Sequence, residues 1–317
     1  MSAVREGSIA SNGLSDGAMV LVPLFSLGTP GATLPVVAPS VMPGTDYMDA
    51  RAQFLFRLSG ATRPAAVASA DSAMTVWTTR VGEFTYSAFE TFCENGPCEG
   101  PTFDSGCASS DVRAGTIARD DGFLLAFSSG RDWGTCLLDD GIPGPPTRIQ
   151  TERRGGPPGV APGADIVMPE PIAELTMVQR RPEGGWVVVR TDGSTSFQPP
   201  PIVGIPVDDA GFAASQPVVL VPEGATVGPI AASAFGDGLA VAWVAASPDP
   251  VAPDIGVRVF DRDGNLLAET SLSTSAAFLS PNERLSLIES PSHDALLLGW
   301  SSAGAEPKVV AARVACR

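Results

Sequence analysis

Six short apolar runs, each entered through a turn signal, recur along the chain at a nearly constant distance. They are Asp16-Gly-Ala-Met-Val-Leu-Val22, Asp71-Ser-Ala-Met-Thr-Val-Trp77, Asp121-Gly-Phe-Leu-Leu-Ala-Phe127, Gly184-Gly-Trp-Val-Val-Val-Arg190, Asp237-Gly-Leu-Ala-Val-Ala-Trp243 and Asp294-Ala-Leu-Leu-Leu-Gly-Trp300. Between the last residues of successive runs the steps are 55, 50, 63, 53 and 57 residues. A segment of that length holds four short strands and their loops, and such a unit buries its two faces only against its neighbours. The spacing therefore restricts the chain to a series of small sheets packed side by side, and it says far more about architecture than about chemistry.

A shorter apolar run precedes most of the six: Ala65–Ser69, Gly115–Ala118, Leu175–Gln179, Ile230–Ser233 and Leu285–Glu289. Between the paired runs lie Asp121-Gly, Glu183-Gly-Gly and Gly236-Asp-Gly, residues that accept positive φ and close tight hairpins. We read each pair as the first and second strands of a blade. The second strand is apolar on both faces because neighbouring blades cover both. The expected fold is all-β: a six-bladed β-propeller of four-stranded antiparallel blades, with residues 1–317 forming a single domain. Apolar residues make up 44% of the chain and charged residues 17%, which suits many fully covered strands, and 34 Gly with 30 Pro supply the turns that such a fold needs.

Third strands are expected at Phe84–Phe92, Gly256–Phe260 and Val309–Val314, and Asp261-Arg-Asp-Gly264 turns the chain into a fourth strand at Asn265–Thr270. Phe127, Trp77, Trp243 and Trp300 are expected between blades, where Arg190 breaks the aromatic series and predicts a wetter seam. The chain stops just past the third strand of the sixth blade, so closure by Ala3–Glu6 pairing beside Val310 is expected, the two termini sharing one blade. Two stretches break the period. Residues 27–50 read as an insertion, and the Pro- and Gly-rich stretch 141–171 reads as extended surface backbone rather than sheet.

The net charge of −15 and a single lysine, Lys308, oppose binding to nucleic acid, which needs clustered cations. No apolar stretch approaches the roughly 18 residues that a spanning helix needs. Cys93, Cys98, Cys107 and Cys136 are spaced by 5, 9 and 29 residues, unlike the close pairs of a thiolate metal centre. We read them as disulfides, Cys93 with Cys98 across an Asn-Gly turn and Cys107 with Cys136, leaving Cys316 over; buried free thiols and a metal site are the alternatives. Disulfides imply export, with a signal or lipoprotein leader removed ahead of Met1 and a membrane tether as one consequence.

Ligands of a ring of blades bind where loops converge, on the end carrying the connections from second to third strands. Those connections hold Asp46, Tyr47, Arg80, Arg131, Asp132 and Trp133, which form the candidate ligand site. A Trp beside Arg and Asp offers a stacking plate flanked by hydrogen-bonding groups, as carbohydrate sites use; an ion pair with the Trp folded back on its sheet is the structural alternative. Catalysis finds less support. His293 is the only histidine and falls in a turn on the opposite end, and no Gly-rich loop precedes a lysine, so no cofactor or metal is expected. Asp261-Arg-Asp-Gly264 has two carboxylates where a calcium loop has three.

Asp121-Gly-Phe-Leu-Leu-Ala-Phe127 and Gly256-Val-Arg-Val-Phe-Asp-Arg-Asp-Gly264 resemble the repeats of exported propeller-repeat proteins of GC-rich bacteria, many of them lipoproteins without assigned activity. The resemblance spans nearly the whole chain, and it implies fold and export rather than a site. The expected function is that of an exported, non-catalytic binding or scaffold module recognising a protein or glycan. A carbohydrate-active hydrolase or lyase using loop carboxylates is the alternative.

Overall fold

The computed structural model describes the backbone of strands between Ser8 and Ala315. It also describes most side chains within 115–128, 147–154, 163–193, 199–245, 254–272, 285–290, 294–300 and 310–315. Every regular element among the described residues is a β-strand, and the strands form six antiparallel sheets in which neighbours in sequence are neighbours in space. The chain divides into two compact units, Met1–Ile172 and Ala173–Arg317.

In the first unit, β1 (Ser8–Ser11), β2 (Ala18–Phe25) and β3 (Thr33–Ser40) make a three-stranded sheet. A four-stranded sheet follows, of β4 (Thr62–Ala68), β5 (Ser72–Val81), β6 (Phe84–Cys93) and β7 (Gly96–Ala108). The next has β8 (Ala114–Arg119), β9 (Gly122–Ser129), β10 (Arg148–Arg154) and β11 (Ala161–Val167). These sheets touch in succession, β1 and β2 against β4, and β5 and β7 against β8 and β9. Phe123 to Phe127 of β9 are all buried, as expected of a strand covered on both faces.

The second unit, which takes in all of its first strand but the opening residue, has the same construction. Its sheets are β12 (Ile172–Gln179), β13 (Gly185–Thr191), β14 (Ile202–Val207) and β15 (Val218–Val221); β16 (Thr226–Phe235), β17 (Gly238–Ala245), β18 (Asp254–Phe260) and β19 (Leu266–Ser273); and β20 (Leu285–Glu289), β21 (Ala295–Ser302) and β22 (Lys308–Ala315). Two apolar layers join them. Leu239, Val241 and Trp243 of β17 point toward Trp186, Val188 and Ile202, whereas Ala240, Ala242 and Val244 point toward Leu285, Leu287, Leu296 and Leu298. Successive side chains of a strand face opposite ways, so the unbroken apolar run of β17 supplies both layers at once. Each large side chain buried in this way contributes about 1.5–3 kcal/mol. Small residues on one face and large ones on the other set the spacing of the layers. Gly256 lies directly beneath the Trp243 indole, where a Cβ would stand 2.3 Å from a ring carbon.

The six repeated runs fall on β2, β5, β9, β13, β17 and β21, and the shorter runs on β4, β8, β12, β16 and β20. The expected third strands are β6, β18 and β22. Two expectations are corrected. The stretch 27–50 is not wholly an insertion, because β3 lies inside it and pairs with β2 from Ala18↔Ser40 to Phe25↔Thr33. The stretch 141–171 holds β10 and β11, the third and fourth strands of their sheet. Arg148–Arg154 contains neither Pro nor Gly and is free to enter the ladder. Pro162 of β11 lies on an outer strand at a register shift, where a missing N–H costs no central hydrogen bond. Residues 3–6, expected beside β22, lie outside the described residues.

Candidate functional site

Antiparallel order puts the connection from first to second strand at one end of each sheet and that from second to third at the other. The first kind is short, through 120–121, 180–184, 236–237 and 290–294. The second kind is longer in three of the four sheets with described side chains, through 130–147, 192–201 and 246–253. The short end is fixed by local hydrogen bonds. Arg180 N–H donates to Gly184 O at 3.1 Å, and Gly184 N–H donates to the Asp209 carboxylate at 2.8 Å.

At the longer-connection end of the second unit, Arg190 closes β13 on the face that carries Trp186 and Val188. It stands where β9, β17 and β21 have Phe127, Trp243 and Trp300. Its Nη2 lies 3.4 Å from Glu174 Oε1, and both side chains are 16% exposed. The second oxygen, Glu174 Oε2, accepts the backbone N–H of Ile230 at 2.7 Å and so ties the first strand of one sheet to the first strand of the next. Arg190 Nε is buried and has no acceptor among the described residues. The expected wetter seam is thus a half-buried ion pair. The break in the aromatic series pointed to it, and a glutamate inside the apolar string of β12 is the complementary signal that sequence reading passed over.

Two further arginines serve the seam between the same sheets. Arg258 Nη1 donates to Leu220 O at 2.9 Å, Nη2 pairs with Glu269 at 3.0 Å, and the guanidinium lies 5.6 Å from the Trp243 ring centre. Arg180 lies 5.8 Å from the Trp186 ring centre and donates to Arg262 O at 3.3 Å. Guanidinium groups stacked on indoles keep part of their hydration cost low while bridging backbone across the layer.

Of the residues expected at the ligand site, Asp46, Tyr47, Arg131, Asp132 and Trp133 lie outside the described residues. Arg80, expected in a connection, belongs to β5, where its backbone pairs with Thr85 of β6. Of the cysteines, Cys93 ends β6 opposite Gly96, Cys98 and Cys107 are on β7 with Cys107 opposite Thr85, and Cys136 and His293 lie outside the described residues. The Asp261 carboxylate, weighed above as a calcium ligand, is engaged in its own turn: Oδ1 accepts the N–H groups of Asp263 and Asn265, and Oδ2 accepts the Asn265 side-chain amide at 2.8 Å. Asp208 is engaged similarly, accepting from Ala210 and Phe212.

No family model matches the chain, and no curated protein matches it. Solved structures do. A Penicillium chrysogenum α-L-arabinanase complexed with arabinobiose superposes with a TM-score of 0.55 at 9% identity, over 99% of this chain and 98% of that one. This structure is a β-propeller, as are the two that follow, and the likeness is one of fold. The second is a subtype N10 neuraminidase-like protein of A/little yellow-shouldered bat (TM-score 0.53, 8% identity, 99% and 95% covered). The third is an Aleuria aurantia lectin in complex with α-methyl-L-fucoside (TM-score 0.51, 12% identity, 99% and 97% covered).

Proposed function

We propose that this chain is an exported, non-catalytic binding module that recognises a glycan, or a protein, through the end of the propeller bearing the connections 130–147, 192–201 and 246–253. The observation that carries this reading is the contrast within the sheets β8–β11, β12–β15 and β16–β19: short connections from first to second strand (120–121, 180–184, 236–237) and longer ones from second to third (130–147, 192–201, 246–253). The carboxylates with described partners are engaged structurally. Glu174 holds Arg190 and Ile230, Glu152 pairs with Arg154, Glu289 accepts from Gly236, and Asp294 binds Ser290 and Arg313. A fold neighbour that holds a fucoside supports a sugar ligand on such a frame.

In this reading six blades close into one domain, with Ala3–Glu6 completing the sheet of β22, and Asp46, Tyr47, Arg80, Arg131, Asp132 and Trp133 contribute to the ligand surface. Disulfides among Cys93, Cys98, Cys107 and Cys136 and a removed leader fit export to the periplasm, cell surface or medium. The second reading, a carbohydrate-active hydrolase or lyase using loop carboxylates, draws on the arabinanase that shares the fold.

A glycan-array screen followed by an assay for product release separates the two. Binding without turnover is the expected result. Turnover abolished by a single Asp or Glu substitution in a connection would establish the enzyme instead.

A further inference from the structure

We infer that the outer edge of β19 is a docking edge, which accepts an extended, cationic segment of a partner protein as a further strand of its sheet. The last strand of a sheet exposes a row of N–H and C=O groups with which any extended chain can pair, and proteins blunt such edges with proline, cations, register shifts or brevity. The last strands of the other sheets are blunted in these ways. β3 contains Pro35 and Pro39, β7 contains Pro97 and Pro101, and β11 contains Pro162 at a register shift. β15 has only four residues, between Pro217 and Pro222. β22 carries Lys308 and Arg313 and is the edge assigned above to ring closure. β19 has neither proline nor cation. Its register shift is confined to its start, and Ala268–Ser273 pairs without interruption with Asp254–Val259. Among the described residues nothing pairs with its other edge, and every residue from Leu266 to Ser271 is exposed, Leu267 by 65%.

The occupant follows from charge. A second copy of this chain brings another net charge of −15 to the contact, whereas a cationic segment is drawn toward it. The same sign prevails along the edge. Asp263 and Glu269 hold their side chains 78% and 48% exposed, while the arginines that pair with them, Arg180 and Arg258, are each 18% exposed. Arg262, in the turn beside Asp263, is the exposed cation nearest in sequence. In strand addition the backbone supplies affinity and alternate side chains supply selectivity. A segment that alternates arginine with β-branched residues offers cations to Asp263 and Glu269 and apolar contact to Leu266 and Leu267. Docking of this kind does not depend on what the connections bind.

The test uses the intact chain and a labelled octapeptide that alternates arginine with valine. One control peptide has glutamate in place of arginine, and another keeps the arginines but is N-methylated throughout, which removes its backbone donors and keeps its charge. Fluorescence anisotropy measures affinity, and hydrogen exchange reports which strand the peptide covers. The arginine peptide is expected to bind about tenfold or more tightly than either control and to slow exchange in β19 and not in β15. Leu267→Lys, which places a cation at an exposed position of the edge, should weaken binding about tenfold or more. Val219→Lys, the same change at a comparably exposed position of β15, should leave it unaltered. Unchanged melting shows that both variants are folded. Equal binding of the N-methylated peptide, binding that ignores Leu267→Lys, protection that spares β19, or no binding of the arginine peptide overturns the inference. Sedimentation of the chain alone as a dimer with β19 protected, tightened by added salt, gives the edge to a second copy and overturns the partner stated here. Glycan recognition at the connections survives each of these outcomes.

Discussion

The turn between β18 and β19 depends on a single carboxylate. Asp261 accepts hydrogen bonds from Asp263 and Asn265, while Gly264 supplies a φ of +86° that side-chain-bearing residues rarely adopt. Hydrogen bonds from Asn265, from its side-chain amide first and its backbone N–H next, hold the Asp261 carboxyl below its ordinary range. A carboxyl made more acidic by folding stabilises the folded chain above its unfolded pKa, about 4, and that contribution is lost as pH falls through the lower folded value. We therefore expect Asp261→Ala to melt earlier than the parent at neutral pH and the gap to close in acid, as thermal scans across pH will show. The effect should be small, because the group faces water. Gly256→Ala should cost more, about 1–3 kcal/mol in urea unfolding, since the added methyl collides with the Trp243 ring. Neither requirement can be read from the glycine alone. The turn was legible in Asp261-Arg-Asp-Gly264, but the need for Gly256 became visible only when register set it opposite Trp243.

First and second strands were legible because their burial on two faces demands unbroken apolar runs, and their hairpins demand Gly or Asp at fixed places. Third and fourth strands were harder. β10 reads Arg-Ile-Gln-Thr-Glu-Arg-Arg, and its polar residues are buried by satisfying one another, as Glu152 and Arg154 do, rather than by being apolar. β14 contains Pro206, which argues against an interior strand; β15 pairs only with Ile202–Gly204, so the proline lies beyond that ladder. The same logic hid the site: Glu174 looked like an ordinary strand residue until its two oxygens met Arg190 and Ile230. Glu174→Ala, which leaves Ile230 N–H without its acceptor and Arg190 without its counter-charge, should lower stability by about 1–3 kcal/mol. Glu174→Gln, which keeps an oxygen for Ile230, should lower it less. Chemical denaturation of the two variants beside the parent distinguishes a link between β12 and β16 from a dispensable surface pair.

At the scale of the molecule, each unit is a succession of antiparallel sheets, joined in the second unit through two apolar layers, and a propeller is what the solved structures of like fold have in common. The repeat of 50 to 63 residues carried that architecture in the sequence. The identity of the ligand was not carried, because the proposed recognition residues, Arg80 of β5 apart, were assigned to connections whose composition obeys no period. The proposed binding end exists only if the blades close so that those connections converge, and closure requires β22, which pairs with β21 on one side, to receive a partner on the other. The direct measurement is hydrogen exchange of the β22 amides that point away from β21, in the intact chain and after deletion of residues 2–7. Strong protection in the intact chain, lost on deletion, is the predicted result. Rapid exchange in the intact chain, or protection that survives the deletion, would contradict the closed ring and the binding end built on it.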